Sequence, residues 1–340
     1  MEPLMFDIVF ITNLPSFYKN NLYNEIARHR KICVIYTGHG NQERNNDFYK
    51  GEANFKQVFL KSLSLYEIIK FLKIIRQIKY KELIVGGWDS IFFWLSVIVS
   101  PKYKNSVVCE SSYHESNISG LSGFIKKLFL KKISRGYVSG KAQEKLLKLL
   151  DFKGINIITK GVGVFNYIKQ PEYVSKVVVK KFIYVGRLAQ EKNLEFLIKV
   201  FSERSDIELH IVGFGALENE LKSISNSNVI FHGAIPNEML SEFYQKMDVF
   251  ILPSKSEPWG LVVEEALNNG LPVIVSDRVG CAEEIVNESN GFIFKYDSKE
   301  DLNSKIDSIM NIDIYNKLRL NISKLNFEEI EMAQIRKYIH

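Results

Sequence analysis

Cysteine is scarce. The 340 residues hold three, Cys33, Cys109 and Cys281, far apart, odd in number and without a Cys-x-x-Cys pair. That argues against a disulfide framework and a structural zinc site, and it fits a reducing compartment. Long apolar runs are also lacking. The longest, residues 91–99, falls well short of the roughly 20 residues that span a bilayer. The first apolar run is interrupted by Asp7 and reads as a strand, not as a signal peptide. The expectation is a cytoplasmic chain, soluble or peripheral on the inner face of the cytoplasmic membrane. No Asp-x-Asp occurs, so the divalent metal such a pair would hold is not expected, and no cofactor is. Short repeats, low-complexity tracts and a basic groove interleaved with aromatics are missing too, which argues against a nucleic-acid partner.

What is present is a globular composition, 46% hydrophobic and 25% charged, in a chain long enough for two domains. The net charge of +6 hides an asymmetry. Residues 1–170 hold 26 Lys and Arg against 13 Asp and Glu, a surplus of +13, whereas residues 171–340 hold 19 against 26, or −7. Such a split points to an anionic surface facing one half.

The first half alternates apolar runs with helical patterns. Strands are expected at residues 8–12, 33–36, 57–60, 83–85, 106–109 and 136–139, with helices at 18–28, 65–78, 90–99, 123–134 and 141–150. Alternation of this kind means a parallel sheet covered on both faces. The pattern breaks after Gly161-Val162-Gly163-Val164, and a second series opens at Phe182. Its strands are expected at 182–185, 208–212, 229–231, 249–252, 273–276 and 292–294, the last leading to a helix at 298–310. The domains are therefore drawn at 1–165 and 181–326, with a linker at 166–180. A terminal helix at 327–340 is expected to pack back across the cleft between them.

The chemistry concentrates in the second series. The run Phe250-Ile-Leu-Pro-Ser-Lys-Ser-Glu257-Pro-Trp-Gly260-Leu-Val-Val-Glu-Glu265-Ala266 reads as a buried strand, a polar loop and a helix that stops at Asn268-Asn269-Gly270. Glu257 falls on a loop at the carboxyl end of a strand, where open α/β sheets bind ligands. The first N–H groups of the helix, from Trp259 to Val262, suit an anion. After the strand at 182–185 comes Gly186-Arg187-Leu188-Ala189-Gln190-Glu191-Lys192-Asn193. Gly186 allows a sharp turn, Asn193 reads as an N-cap, and Arg187 and Lys192 can neutralise a diphosphate, Arg as a planar fork and Lys as a point charge. The same residues would also serve as an ordinary solvated loop. Gly213-Phe214-Gly215 and His232-Gly233-Ala234 each follow a strand. Each reads equally as a tight turn or as backbone offered to a ligand.

Taken in order, Gly-Arg-Leu-x3-Lys-Asn, Gly-x-Gly, Phe-x-Gly, Pro-Ser-x2-Glu-x2-Gly-x4-Glu-Ala and Gly-x-Pro-Val-Ile resemble the family-4 retaining glycosyltransferases of the GT-B fold (group 1 glycosyltransferases). The resemblance covers about residues 180–295 strongly and the first half loosely. It implies an α/β fold of two Rossmann-like parallel-sheet domains facing across a cleft. It further implies metal-independent transfer from a nucleotide-sugar donor, a UDP- or GDP-sugar, with retention and without a protein nucleophile. Arg187 and Lys192 would hold the diphosphate, Glu265 the ribose hydroxyls and Glu257 the donor sugar. The backbone of Trp259, Gly260, Leu261 and Val262 would contact sugar and phosphate, with Gly186, Gly213, Gly233 and Ala234 completing the donor site. His114, in Glu110-Ser-Ser-Tyr-His114-Glu115, falls in the region of a family histidine that contacts the donor sugar. The glycine pair of the family's first strand–helix loop is replaced by Asn13-Leu14-Pro15-Ser16.

The acceptor implied is a saccharide, free or lipid-linked, in the building of a bacterial surface polysaccharide (O-antigen, capsule or exopolysaccharide). Residues 65–81 and 121–133 alternate apolar runs with lysines at helical spacing. Such helices either lie on anionic membrane or pack their apolar faces on the sheet with the lysines solvated. Two other readings share the fold: a non-catalytic nucleotide-sugar-binding or scaffold protein, which degenerate motifs would favour, and a nucleotide-sugar epimerase.

Overall fold

The computed structural model describes residues 5–38, 52–165 and 168–340. They divide into two units. One takes the described residues up to Phe165 together with Glu329–His340, and the other ends at Glu328.

The first unit runs β1 (Met5–Thr12), α1 (Phe17–Ala27), β2 (Ile32–Tyr36), β3 (Lys56–Phe59), α2 (Leu65–Gln77), β4 (Lys79–Val85), α3 (Ile91–Val99), β5 (Asn105–Cys109), α4 (Gly120–Leu130), β6 (Arg135–Val138), α5 (Lys141–Leu149) and β7 (Ile155–Ile158). The strands form one parallel sheet in the order β3-β2-β1-β4-β5-β6-β7. Residues 8–11 of central strand β1 are apolar without a break because helices cover both faces. One face packs Phe71 and Ile75 of α2, Phe92, Phe93 and Val97 of α3, and Phe129 and Leu130 of α4. The other packs Leu22, Tyr23 and Ile26 of α1 with Ile335, Tyr338 and Ile339 of the last helix, α13 (Phe327–Ile339). Tyr338 stacks on Tyr137 at 4.7 Å with the rings 7° from parallel, and Arg30 donates to the Ile339 carbonyl. The terminal helix is thus a core element of the first sheet.

The second unit runs β8 (Lys181–Val185), α6 (Leu194–Ser202), β9 (Glu208–Val212), α7 (Glu218–Ser223), β10 (Val229–Gly233), α8 (Asn237–Gln245), β11 (Val249–Leu252), α9 (Leu261–Asn268), β12 (Val273–Ser276), α10 (Ala282–Ile285), β13 (Gly291–Phe294), α11 (Lys299–Met310) and α12 (Ile312–Ile322). Its parallel sheet has the order β10-β9-β8-β11-β12-β13. The chain winds outward from β8 to β10 and then restarts at β11 on the other side of β8. That reversal opens a crevice at the carboxyl ends of β8 and β11. The first two residues of the expected linker, 166–167, lie outside the described residues. Its remainder is tied onto the second unit. Ile168 donates its N–H to Asn268 Oδ1 at 2.8 Å and accepts from Asn268 Nδ2 at 3.1 Å, and Lys176 pairs with Asp248.

Two elements escape the sequence pattern. β7 is an edge strand interrupted by Asn156, with none of its residues fully buried, so its apolar pattern is mixed. α12 follows α11 with one residue between them. Asn311 ends α11 and caps α12, its Oδ1 accepting from Asp313 N at 3.1 Å and Ile314 N at 3.2 Å.

Candidate functional site

Three strand ends of the second unit are built on glycine. Gly186 has φ +156°, and a Cβ there would stand 2.7 Å from the Tyr184 hydroxyl. That hydroxyl donates to the Arg187 carbonyl at 2.8 Å and so shapes the loop that carries Arg187. Gly213 has φ +137°, and a Cβ there would lie 1.8 Å from the Gly186 carbonyl oxygen. The Gly-x-Gly turn is therefore glycine because two backbone segments meet, whatever else it does. Leu188 N donates to Phe214 O at 2.9 Å, and Gly213 N to Gly233 O at 2.8 Å. Loops 186–188, 213–215 and 233–234 step across β8, β9 and β10 as one bonded ledge, with Ala234 exposed at its end. Behind it His232 stacks on His210, with the facing nitrogens 2.9 Å apart.

The loop after β11 docks against the loop after β8. Lys255 N donates to Glu191 O at 2.8 Å. Ser276 Oγ donates to the Ser254 carbonyl at 2.5 Å. Glu257 forms a one-residue parallel bridge with Val279, its N–H donating to Arg278 O at 3.1 Å and its carbonyl accepting from Gly280 N at 2.9 Å. Gly260 has φ +98°, and a Cβ there would meet Val279 Cγ1 at 2.9 Å. This glycine lets the chain turn into α9 against the Val279–Cys281 segment.

These contacts bring most of the expected residues together. Lys192 and Glu257 form a direct ion pair, with side-chain exposures of 12% and 14%. Arg187 pairs with Glu191 at 2.9 Å and is half exposed. Asn193 departs from its expected role. It stands at the N-cap position of α6 in a left-handed conformation, but its side chain caps nothing there. Its Nδ2 donates instead to the carbonyls of Pro253 and Tyr296, 3.1 Å each, tying β8 to the ends of β11 and β13. His114 belongs to the first unit. It sits half-buried in a turn with its ring 3.9 Å from that of Tyr113. The second-unit group forms without it.

The helix α9 carries two adjacent carboxyls of different character. Glu264 is buried, and the Trp259 indole N–H donates to its Oε1 at 2.6 Å. The Trp259 carbonyl accepts from Cys281 N at 2.9 Å. Trp259 is thus anchored inside the unit by both indole and carbonyl. Burial pushes Glu264 up to about 8, the indole bond opposing and the neighbouring Glu265 adding to the rise. Burial pushes Glu265 up to about 7, offset in part by the Tyr244 hydroxyl beside it. That hydroxyl is buried and makes no hydrogen bond of ordinary geometry among the described residues. Glu264 and Tyr244 were not legible as site residues. A carboxyl five residues after a tryptophan is the one sequence signal that could have pointed to Glu264.

The raised carboxyls carry a consequence for stability. Both hold their protons in the folded state at pH values where the unfolded chain, near the ordinary value of 4.5, has released them. The folded state binds more protons between pH 4.5 and about 8, so stability falls as pH rises through that window. Glu264→Gln keeps the shape and the acceptor for the indole. It is expected to stabilise the second unit at pH 8 by about 1–3 kcal/mol and to change little at pH 5. Thermal unfolding of both chains at the two pH values checks this. A variant that is no more stable at pH 8 would contradict the assignment.

Comparison with known proteins adds to this geometry. Residues 169–326 match the model of the glycosyl transferases group 1 family. The O-antigen biosynthesis glycosyltransferase WbnH of Escherichia coli is 34% identical over 175 residues, 51% of this chain and 49% of that protein. The sulfoquinovosyl transferase SQD2 of Arabidopsis thaliana is 34% identical over 133 residues, 38% of this chain and 26% of that one. The chain thus spans from about a quarter to a half of the length of these curated relatives. Among solved structures, the lipopolysaccharide outer core galactosyltransferase WaaB superposes with a TM-score of 0.72 at 15% identity, covering 98% of both chains. Anabaena HepE in complex with UDP gives 0.69 at 13% identity, again over 98% of both. Two parallel α/β units and these neighbours show that the chain has the GT-B fold, and its residues 169–326 are similar to the glycosyl transferases group 1 family.

Proposed function

We propose that this chain transfers a sugar from a nucleotide-sugar donor to a saccharide acceptor, free or lipid-linked, in the assembly of a bacterial surface polysaccharide. The observation that carries the reading is the meeting of Lys192, Glu257 and the start of α9 at the adjacent ends of β8 and β11. A cation, a carboxylate and the N–H groups of the first turn of α9 thus lie at the adjacent strand ends.

The chemistry needs these groups. Breaking the bond between the anomeric carbon and phosphate leaves an oxocarbenium-like sugar and a diphosphate. The Lys192 ammonium, the Arg187 guanidinium after it leaves Glu191, and the N–H groups of α9 stabilise that leaving charge most as it develops. The acceptor hydroxyl then attacks the anomeric carbon on the face the phosphate leaves, which retains configuration. Its proton passes to the departing phosphate oxygen. Glu257 orients the donor sugar, and Glu265 accepts from the ribose hydroxyls. No divalent metal is required in this scheme. The relatives named for O-antigen synthesis and the neighbour crystallised with UDP support the pathway and a UDP-sugar donor.

The test is a thermal-shift screen against UDP-, GDP- and ADP-sugars, followed by measurement of nucleotide release with acceptor saccharides in EDTA. One donor class is expected to stabilise the chain by about 2.7 kcal/mol at a hundredfold excess over its Kd. Release is expected to persist in EDTA. If no nucleotide sugar stabilises the chain, the reading falls. If magnesium alone restores release, the metal-free scheme falls.

A further inference from the structure

We propose that the outward face of α2, α3 and α4 is a docking surface for an anionic lipid bilayer. On α4 the residues at Leu121, Phe124, Ile125 and Leu128 follow the i, i+3, i+4, i+7 spacing of one helix face. In a helix covering a sheet, that stripe is expected to point inward. Here it points to solvent, with Leu121 75% and Phe124 63% exposed, while Gly123, Phe129 and Leu130 make the buried contact. The inner face is therefore already filled, and the apolar stripe is left over. The first turns of α2 repeat the arrangement, with Leu65 74% exposed beside Tyr66 and Ile69.

The two stripes belong to one layer. Phe71 of α2 meets Phe92 of α3 edge-on at 5.1 Å, and Trp94 of α3 meets Phe129 of α4 at 5.0 Å. Ile98 near the end of α3 is exposed as well. The same stretch is strongly basic. Residues 61–132 hold twelve Lys and Arg against five Asp and Glu, and Lys127, Lys131 and Lys132 are exposed at the carboxyl end of α4. Apolar side chains amid lysines match the boundary between acyl chains and anionic headgroups. A second copy of the chain fits poorly, because a two-fold interface would set this basic surface against itself. No helix among the described residues is long and apolar enough to cross a membrane, so the contact is one of surface insertion. It does not depend on the sugar-transfer reading.

The experiment is co-sedimentation of the whole chain with two kinds of vesicle, pure phosphatidylcholine and phosphatidylcholine with about a third phosphatidylglycerol. The chain is expected to pellet with the anionic vesicles and stay in solution with the neutral ones. Leu121→Ser with Phe124→Ser is expected to weaken binding at least about tenfold through lost apolar burial. Lys131→Glu with Lys132→Glu is expected to weaken it at least about tenfold and to flatten its salt dependence. The four side chains lie outside the core, so unchanged thermal unfolding accompanies both losses. The proposal is overturned if the unaltered chain stays in solution with anionic vesicles, or if both variants bind as it does. It is equally overturned if sedimentation shows a dimer that Leu121→Ser with Phe124→Ser splits while vesicle binding is absent.

Discussion

Lys192→Ala is expected to lower kcat/KM for sugar transfer at least about a thousandfold while leaving the second unit folded. The lysine is held by its pair with Glu257, on the loop that leads into α9, whereas Arg187 is half exposed and paired with Glu191. Removing one preorganised donor to a developing anion costs about a hundred- to a thousandfold, and a full charge in a sheltered crevice lies at the upper end of that range. The substitution also strands the Glu257 carboxylate, whose side chain is only 14% exposed. Breaking a fully buried pair costs about 3–5 kcal/mol, and with both partners touched by solvent about 1–3 kcal/mol is expected. Stability and activity are separable here. Lys192→Ala combined with Glu257→Gln removes the stranded charge, so it is expected to regain most of the lost stability and none of the lost rate. Steady-state kinetics with urea unfolding of both variants decides the matter. Activity within about tenfold of the unaltered chain would remove Lys192 from the diphosphate site.

The pair also shows what the sequence could and could not disclose. Glu257 and Lys192 are 65 residues apart, and local pattern alone marks each only as a charged residue on a strand-end loop, their roles coming from the resemblance. Their strands are neighbours because β11 returns to the far side of β8, an order that no local pattern reports. The strands themselves were legible: β9, β11 and β12 fall on the expected residues, since buried parallel strands are apolar runs bounded by turns. Edge strand β7 was not, because its pattern is mixed. The glycines divide in the same way. Gly260 was visible as a helix opening, but the reason for Gly213 is the carbonyl of Gly186, a contact between two loops. Asn193 illustrates the reverse error. The residue type and position fit a cap, and tertiary carbonyls claimed the amide instead. On α2 and α4 both lipid contact and sheet packing were compatible with the lysine spacing. Only the burial of each residue tells which way the apolar stripe of α4 faces.

Glu265 is expected to make donor binding strengthen with pH. In the ligand-free chain burial raises its carboxyl to about 7, with Tyr244 beside it holding the rise back. Two ribose hydroxyls are donors, and a carboxylate accepts from both, whereas the protonated acid offers a competing donor of its own. Bound nucleotide therefore favours the charged form and lowers the pKa, so binding releases a proton wherever the free chain still holds one. Affinity for the donor nucleotide should rise by up to about tenfold per pH unit below pH 7 and level off above pH 8. Calorimetry in buffers of different ionisation enthalpy should register the released proton at pH 6.5 and little at pH 8.5. Glu265→Gln keeps one acceptor and the packing against Tyr244 but cannot ionise. Its affinity should fall about ten- to a hundredfold at pH 8, the worth of a charged hydrogen bond, and should lose its slope with pH. A slope that survives in Glu265→Gln would move the proton to another group. Glu264, raised further still and adjacent to Glu265 in α9, would be the first to examine.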